Sequence, residues 1–180
     1  PGGSSPETVH SVERWLYRAP TAGYARRPIV RGFVANTDFD WYSSLKARSP
    51  LDEVNFWQPG GNVQFGAVPP GAPFFFRLKS PYNAVAGFGV FASASILPSW
   101  LAWESFAEKN GAVEFREMTA RIDRYRPRER RDPHGQYNIG CIIVTQPVFF
   151  DQDLWVDDAA DWAPQIVQGK TYDLTLGEGR

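Results

Sequence analysis

Histidine, cysteine and methionine are scarce in this 180-residue chain, at two, one and one. The single thiol, Cys141, excludes a disulfide within the chain and fits a reducing cytoplasm. Its place in the apolar run Ile139-Gly140-Cys141-Ile142-Ile143-Val144 reads as a small buried hydrophobe. The two histidines, His10 and His134, are far apart, so no Cys/His cluster with zinc spacing exists. There is no glycine-rich phosphate loop and no G-x-S-x-G elbow; acidic residues are plentiful, but no pair stands out by spacing. No catalytic residue, metal ligand or cofactor is assigned, and a binding module is expected rather than an enzyme. No hydrophobic run is long enough to span a membrane, and the opening Pro1-Gly2-Gly3-Ser4-Ser5 lacks the apolar segment of a signal peptide. A cytoplasmic location is the expectation.

Charge is placed rather than spread. The net charge is −1, yet Arg121 to Arg131 holds six arginines against Asp123 and Glu129. Clustered arginine along a helix edge and its exit loop is the footprint expected for a phosphate backbone. Residues 13–31 form a second basic region, with five arginines against Glu13. Asp151 to Asp161 holds five aspartates and no base, so it is not expected to face DNA. Aromatics are abundant; a core absorbs many, and the remainder are candidates to stack on planar ligands.

Patterning predicts a short helix over about 6–18, opened by Ser5-Pro6 and carrying Val9, Val12 and Leu16. A strand follows from Ile29 to Ala35. It hands over at Asn36-Thr37-Asp38 to a helix faced by Trp41, Tyr42 and Leu45, with Thr37 and Asp40 resembling a capping box. Further strands are expected at Asp52–Gln58, Phe74–Lys79, Ala84–Phe91, Ile139–Thr145 and Lys170–Leu174. Gly87 and Gly89 inside the fourth imply a bulge or a close backbone approach. Two helices fall between the fourth and fifth strands. Pro98-Ser99 opens the first and Gly111 stops it; Phe115, Met118, Ile122 and Tyr125 face the second, which ends near Arg126 before Pro127. The order implies an α+β fold: a small, curved or closed mixed sheet with flanking helices.

Several strings then add up: Phe33-Val34-Ala35-Asn36-Thr37-Asp38, Asn55-Phe56-Trp57-Gln58-Pro59, Phe74-Phe75-Phe76-Arg77-Leu78-Lys79, Ala86-Gly87-Phe88-Gly89, Leu101-Ala102-Trp103-Glu104 and Val167-Gln168-Gly169-Lys170-Thr171-Tyr172-Asp173. Together, over about residues 30–174, they resemble the N-terminal domain that precedes an HNH nuclease in bacterial modification-dependent (type IV) restriction endonucleases. That resemblance implies a PUA-like fold of the group containing SRA, EVE, YTH and ASCH domains, a twisted, barrel-like mixed sheet with helices at its rim. It implies a reader over 29–176, an N-terminal extension over 1–28, and 177–180 as the start of a linker to an absent C-terminal HNH domain. The implied partner is double-stranded DNA with modified cytosine, 5-methylcytosine above all, with the base flipped into a pocket.

The pocket is expected between the exit of the first strand and Asn55–Gln58. Trp57 is the main stacking candidate, with Phe56, Trp41 and Tyr42 as lesser ones. Asp38 would accept from the cytosine amino group and Asn36 reach the ring edge, with Thr37 and Gln58 beside them. Asp38 reads equally as a group stabilising the helix N-terminus, and Trp41 and Phe56 as core. The backbone grip is assigned to Arg121, Arg124, Arg126, Arg128, Arg130 and Arg131, with Arg26, Arg27, Arg77 and Lys79 in reserve; a solvated, ion-paired surface is the alternative. Three rival readings stay open: a YTH- or ASCH-like RNA module, an enzyme of unknown class on the same fold, and a protein-interaction domain using the acidic stretch.

Overall fold

A computed structural model describes residues 30–132 and 134–180. The expected N-terminal helix and the pair Arg26 and Arg27 lie outside the described residues. Among the described residues the fold is mixed α+β, a seven-stranded mixed sheet with three α-helices. The strands are β1 (Arg31–Thr37), β2 (Glu53–Gln58), β3 (Pro73–Leu78), β4 (Ala84–Pro98), β5 (Asn138–Phe149), β6 (Val156–Asp157) and β7 (Gly169–Asp173). Helix α1 (Phe39–Lys46) follows β1, and α2 (Ser99–Phe106) and α3 (Phe115–Asp123) lie between β4 and β5. The main path runs β2-β5-β4-β3-β1-β7, with β6 paired to β4. β1 and β3 are parallel and the other pairs antiparallel. β2 and β7 are therefore the path's two ends, yet Gln58 Nε2 of one reaches Gln168 Oε1 just before the other, at 3.4 Å. The sheet curls until its ends meet.

Alternation puts Phe74 and Phe76 of β3 in the core and leaves Phe75 half-buried on the other face. Phe76 stacks on Phe149, and Trp41 of α1 meets Phe56 and Phe76 edge to face. Leu45, Met118 and Ile122 seat α1 and α3 on this core. β4 is longer than expected because its second half continues on β5 as far as Pro98 and Asn138. Its glycines do what their type implies: the register shifts between Phe88 and Val90, and a side chain at Gly89 would run into Val144.

Two local expectations are corrected. The capping box does not form: Asp38 is the N-cap of α1 without a side-chain cap bond, while Thr37 Oγ1 bonds back to Ala35 O. Helix α3 ends at Asp123, three residues early, and Arg128–Arg130 form a 3-10 turn. The acidic stretch spends three of its aspartates internally, in the pairs Asp151–Lys46, Asp158–Arg77 and Asp161–Lys170. Cys141 is buried, as its apolar run implies.

Candidate functional site

A half-open cavity of about 470 Å³ lies where the sheet's ends meet. That volume is in the range of small-ligand sites. Asn36 and Asp38 come from the exit of β1, Phe56, Trp57 and Gln58 from β2, and Trp41 from α1. Lys79 follows β3, Tyr125 follows α3, and Val167 and Gln168 precede β7. The structure thus brings together six of the eight residues expected at the pocket. The other two face elsewhere. Thr37 is buried, and Tyr42 is a core residue whose hydroxyl donates to Phe150 O at 2.6 Å.

Each side chain's freedom differs from the expectation. Trp57 borders the cavity but is only 8% exposed, and its Nε1 donates to Asn110 O at 3.1 Å. Asn55 points to the same side and donates to Asn110 Oδ1 at 2.8 Å. Phe56 alternates to the opposite side, half-buried against Trp41 and Phe74. Trp41 is 3% exposed, with Nε1 bonded to Asn55 O. The exposed aromatic here is Tyr125, at 48%, which the helical pattern read merely as part of an apolar face. Asn36 cannot donate to a ring edge without releasing its partners: Nδ2 donates to Ile166 O and Val167 O, while Oδ1 accepts from Arg77. It fastens the loop that carries Val167 and Gln168.

The polar floor is Asp38, Lys79 and Tyr125. Lys79 Nζ donates to Asp38 Oδ1 at 2.7 Å and to the Tyr125 hydroxyl at 3.1 Å, and that hydroxyl donates to Asp38 Oδ1 at 2.6 Å. Asp38 Oδ2 bonds nothing among the described residues, and Lys79 retains a third N–H. An acceptor therefore sits beside a cationic donor. Burial alone would lower the Lys79 pKa, but the Asp38 carboxylate and Tyr125 hydroxyl outweigh it and the net shift is upward. Burial raises the Tyr125 pKa, and its bond to Asp38 adds to this. Lys79 therefore remains an ammonium and Tyr125 a phenol at neutral pH; neither is poised as a nucleophile or base. Both pKa values lie above their unfolded ones, so the stability they contribute is complete at neutral pH. It is lost as pH rises past about 10 through the folded values. A tyrosinate absorbance titration with parallel thermal unfolding should show no step from these groups between about pH 7 and 9.

The arginine run is less available than its sequence implies. Arg121 pairs with Glu117 at 2.5 Å and donates to Gly111 O. Arg124 pairs with Asp40 at 3.2 Å. Arg126 lies 3.9 Å above the Tyr137 ring and donates to Pro59 O and Arg130 O. Arg131 Nε donates to Arg126 O. Arg128 and Arg130 are exposed and unpaired among the described residues. Arg77 is corrected outright. It is 5% exposed and grips Asp158, Asn36 and Asn83 beneath Trp162, so it cannot meet a phosphate backbone. Lys79 belongs to the pocket floor. His134 is exposed, in a turn whose backbone bonds Asp132.

Among the described residues no group of three or more His, Cys, Asp or Glu is placed to hold a metal, and no helix is long and apolar enough to cross a membrane. No family model matches the chain, and no curated protein matches it. Solved structures similar to it include ASCH from Zymomonas mobilis, at 13% identity and a TM-score of 0.46, covering 78% of this chain and 87% of that one. A tyrosine-to-phenylalanine variant of the same protein matches at 13% and 0.45, covering 78% and 89%. A serine-to-alanine variant matches at 10% and 0.46, covering 78% and 88%.

Proposed function

We propose that this chain is a nucleic-acid-binding module that takes one unstacked nucleobase into the cavity beneath Tyr125. The observation that carries the reading is the floor: a free carboxylate oxygen of Asp38 beside the Lys79 ammonium, under partly exposed aromatic surface. An acceptor next to a donor complements an exocyclic amine next to a ring nitrogen. Cytosine and adenine present that edge, while uracil, thymine and guanine present the reverse. Stacking on Tyr125 and Phe56 would supply roughly 1–3 kcal/mol per base.

The state of the arginines favours an RNA or other single-stranded ligand. Two of the six guanidinium groups in the run are ion-paired, Arg121 with Glu117 and Arg124 with Asp40, so less free cationic surface remains to track two phosphate rails. An already unpaired base also avoids the few kcal/mol that extrusion costs. The second reading is a flipped 5-methylcytosine in duplex DNA, targeted for a fused HNH nuclease. It is favoured by the apolar surface of Val167 and Phe56 at the cavity, where a buried methyl adds about 0.8 kcal/mol.

Fluorescence-anisotropy titrations on matched single-stranded RNAs and DNA duplexes, each with cytosine, 5-methylcytosine, adenine or N6-methyladenine, decide between them. Tighter binding to the methylated duplex selects the second reading, and indifference to base identity everywhere removes both. Asp38→Asn replaces the free acceptor with an amide at constant volume. It should weaken binding of the preferred base by about tenfold or more, since a bond to a charged group contributes about 1.5–3 kcal/mol.

A further inference from the structure

Gly60 lines three hollows. One is the base cavity. The second, of about 280 Å³, is walled by Tyr125, Arg126, Arg130 and Asn138. The third, of about 350 Å³, is walled by Asn62, Gln64, Phe65 and Gln168. The base cavity shares Pro59 and Tyr125 with the basic hollow, and Gln58 and Gln168 with the amide-lined one. The two flanking hollows in turn share Asn62 with each other, and Gly60 is the saddle where all three join. A side chain built on Gly60 would meet no atom within 4 Å, and its backbone is not left-handed. Glycine there leaves open space that neither packing nor φ requires.

The flanking hollows differ in chemistry. Arg126 is held rigidly by the Tyr137 ring, Pro59 O and Arg130 O, which leaves its second terminal nitrogen unbonded among the described residues. The Arg130 guanidinium beside it makes no ion pair among the described residues. A pre-oriented guanidinium next to an unpaired one is a seat for an anionic oxygen cluster such as a phosphodiester. The third hollow has no charged side chain; its polar groups are amides, and the half-buried Phe65 ring with Phe33 and Val63 gives it apolar surface. That chemistry suits an uncharged base, with amides for its polar edge.

We infer that a single nucleic-acid strand crosses the surface at Gly60. The phosphate of the captured nucleotide lies against Arg126 and Arg130, and the neighbouring base occupies the Asn62–Phe65 hollow. This rests on the base-cavity reading. It adds a footprint longer than one nucleotide and a side on which the neighbour is read.

The test compares a single nucleoside of the preferred base with a single-stranded trinucleotide carrying that base centrally, on the whole chain, by NMR titration. Wild type should bind the trinucleotide at least tenfold more tightly. Gly60→Leu, which fills the saddle, and Arg130→Ala should each lower the trinucleotide-to-nucleoside affinity ratio about tenfold. Arg130→Ala should also lower the salt slope by about 0.7 for a single strand. Thermal unfolding of both variants confirms the fold. If the nucleoside binds but the trinucleotide gains nothing, or if both variants keep the wild-type ratio, the strand path is wrong while the base cavity stands. If neither ligand binds, both fall together.

Discussion

Gly111→Ala is expected to cost about 2–5 kcal/mol of folding stability, the sum of a left-handed backbone penalty near 1–2 kcal/mol and an overpacking penalty near 1–3 kcal/mol. Gly111 closes the 3-10 turn after α2 with φ of 74° and ψ of 27°. A Cβ there would come within 2.3 Å of Trp41 Cδ1. Trp41 cannot retreat, because Phe56, Phe76 and Phe149 surround it and Asn55 O holds its Nε1. The variant should unfold at lower urea with an unchanged denaturant slope. Asparagine, which tolerates this φ better, should recover only the backbone share. A measured loss below about 1 kcal/mol would mean that Trp41 is looser than its neighbours imply.

Arg77→Ala should cost about 3–5 kcal/mol, the range for removing one partner of a buried ion pair. Arg77 donates Nε to Asp158 Oδ1 at 2.7 Å and a terminal nitrogen to Asp158 Oδ2 at 2.5 Å. Its other bonds go to Asn36 at 2.8 Å and Asn83 at 3.0 Å. Alanine would leave Asp158 without its partner and free the Asn36 amide, which fastens the backbone at Ile166 and Val167. Amide hydrogen exchange should rise across 158–168 before the rest of the molecule loosens. Arg77→Lys should rescue little, because an ammonium cannot reproduce the paired bond to Asp158. Were Arg77 a backbone contact instead, the variant would keep its stability and lose only salt dependence on nucleic acid.

The strands were legible because their apolar residues alternate or run together between glycine and proline turns, as in Phe74-Phe75-Phe76. The position of the cavity followed from one local fact: β1 ends in short polar residues before a helix. What those residues bond to was not legible. Asp38 stands at a helix N-terminus, yet its carboxylate turns to Lys79 and Tyr125, 41 and 87 residues away. Tyr125 fits helical spacing with Ile122, which hid its place at the cavity. Arg77 sits among strand residues that read as exposed in alternation, and its partner Asp158 is 81 positions on. The run from Arg121 to Arg131 reads as free charge because its acceptors are largely carbonyls, to which sequence gives no clue. β6 escaped notice because two residues carry no pattern.

The curled sheet has a consequence for how its ligand preference can change. The two end strands of its path, β2 and β7, meet near the cavity through the side chains of Gln58 and of Gln168, just before β7, rather than through a backbone ladder. The cylinder is laced everywhere along its path but only buttoned at this seam. No main-chain ladder spans the seam itself, so side-chain changes at Gln58 or Gln168 can widen or narrow the mouth and admit new guests while the hydrophobic interior stays as it is.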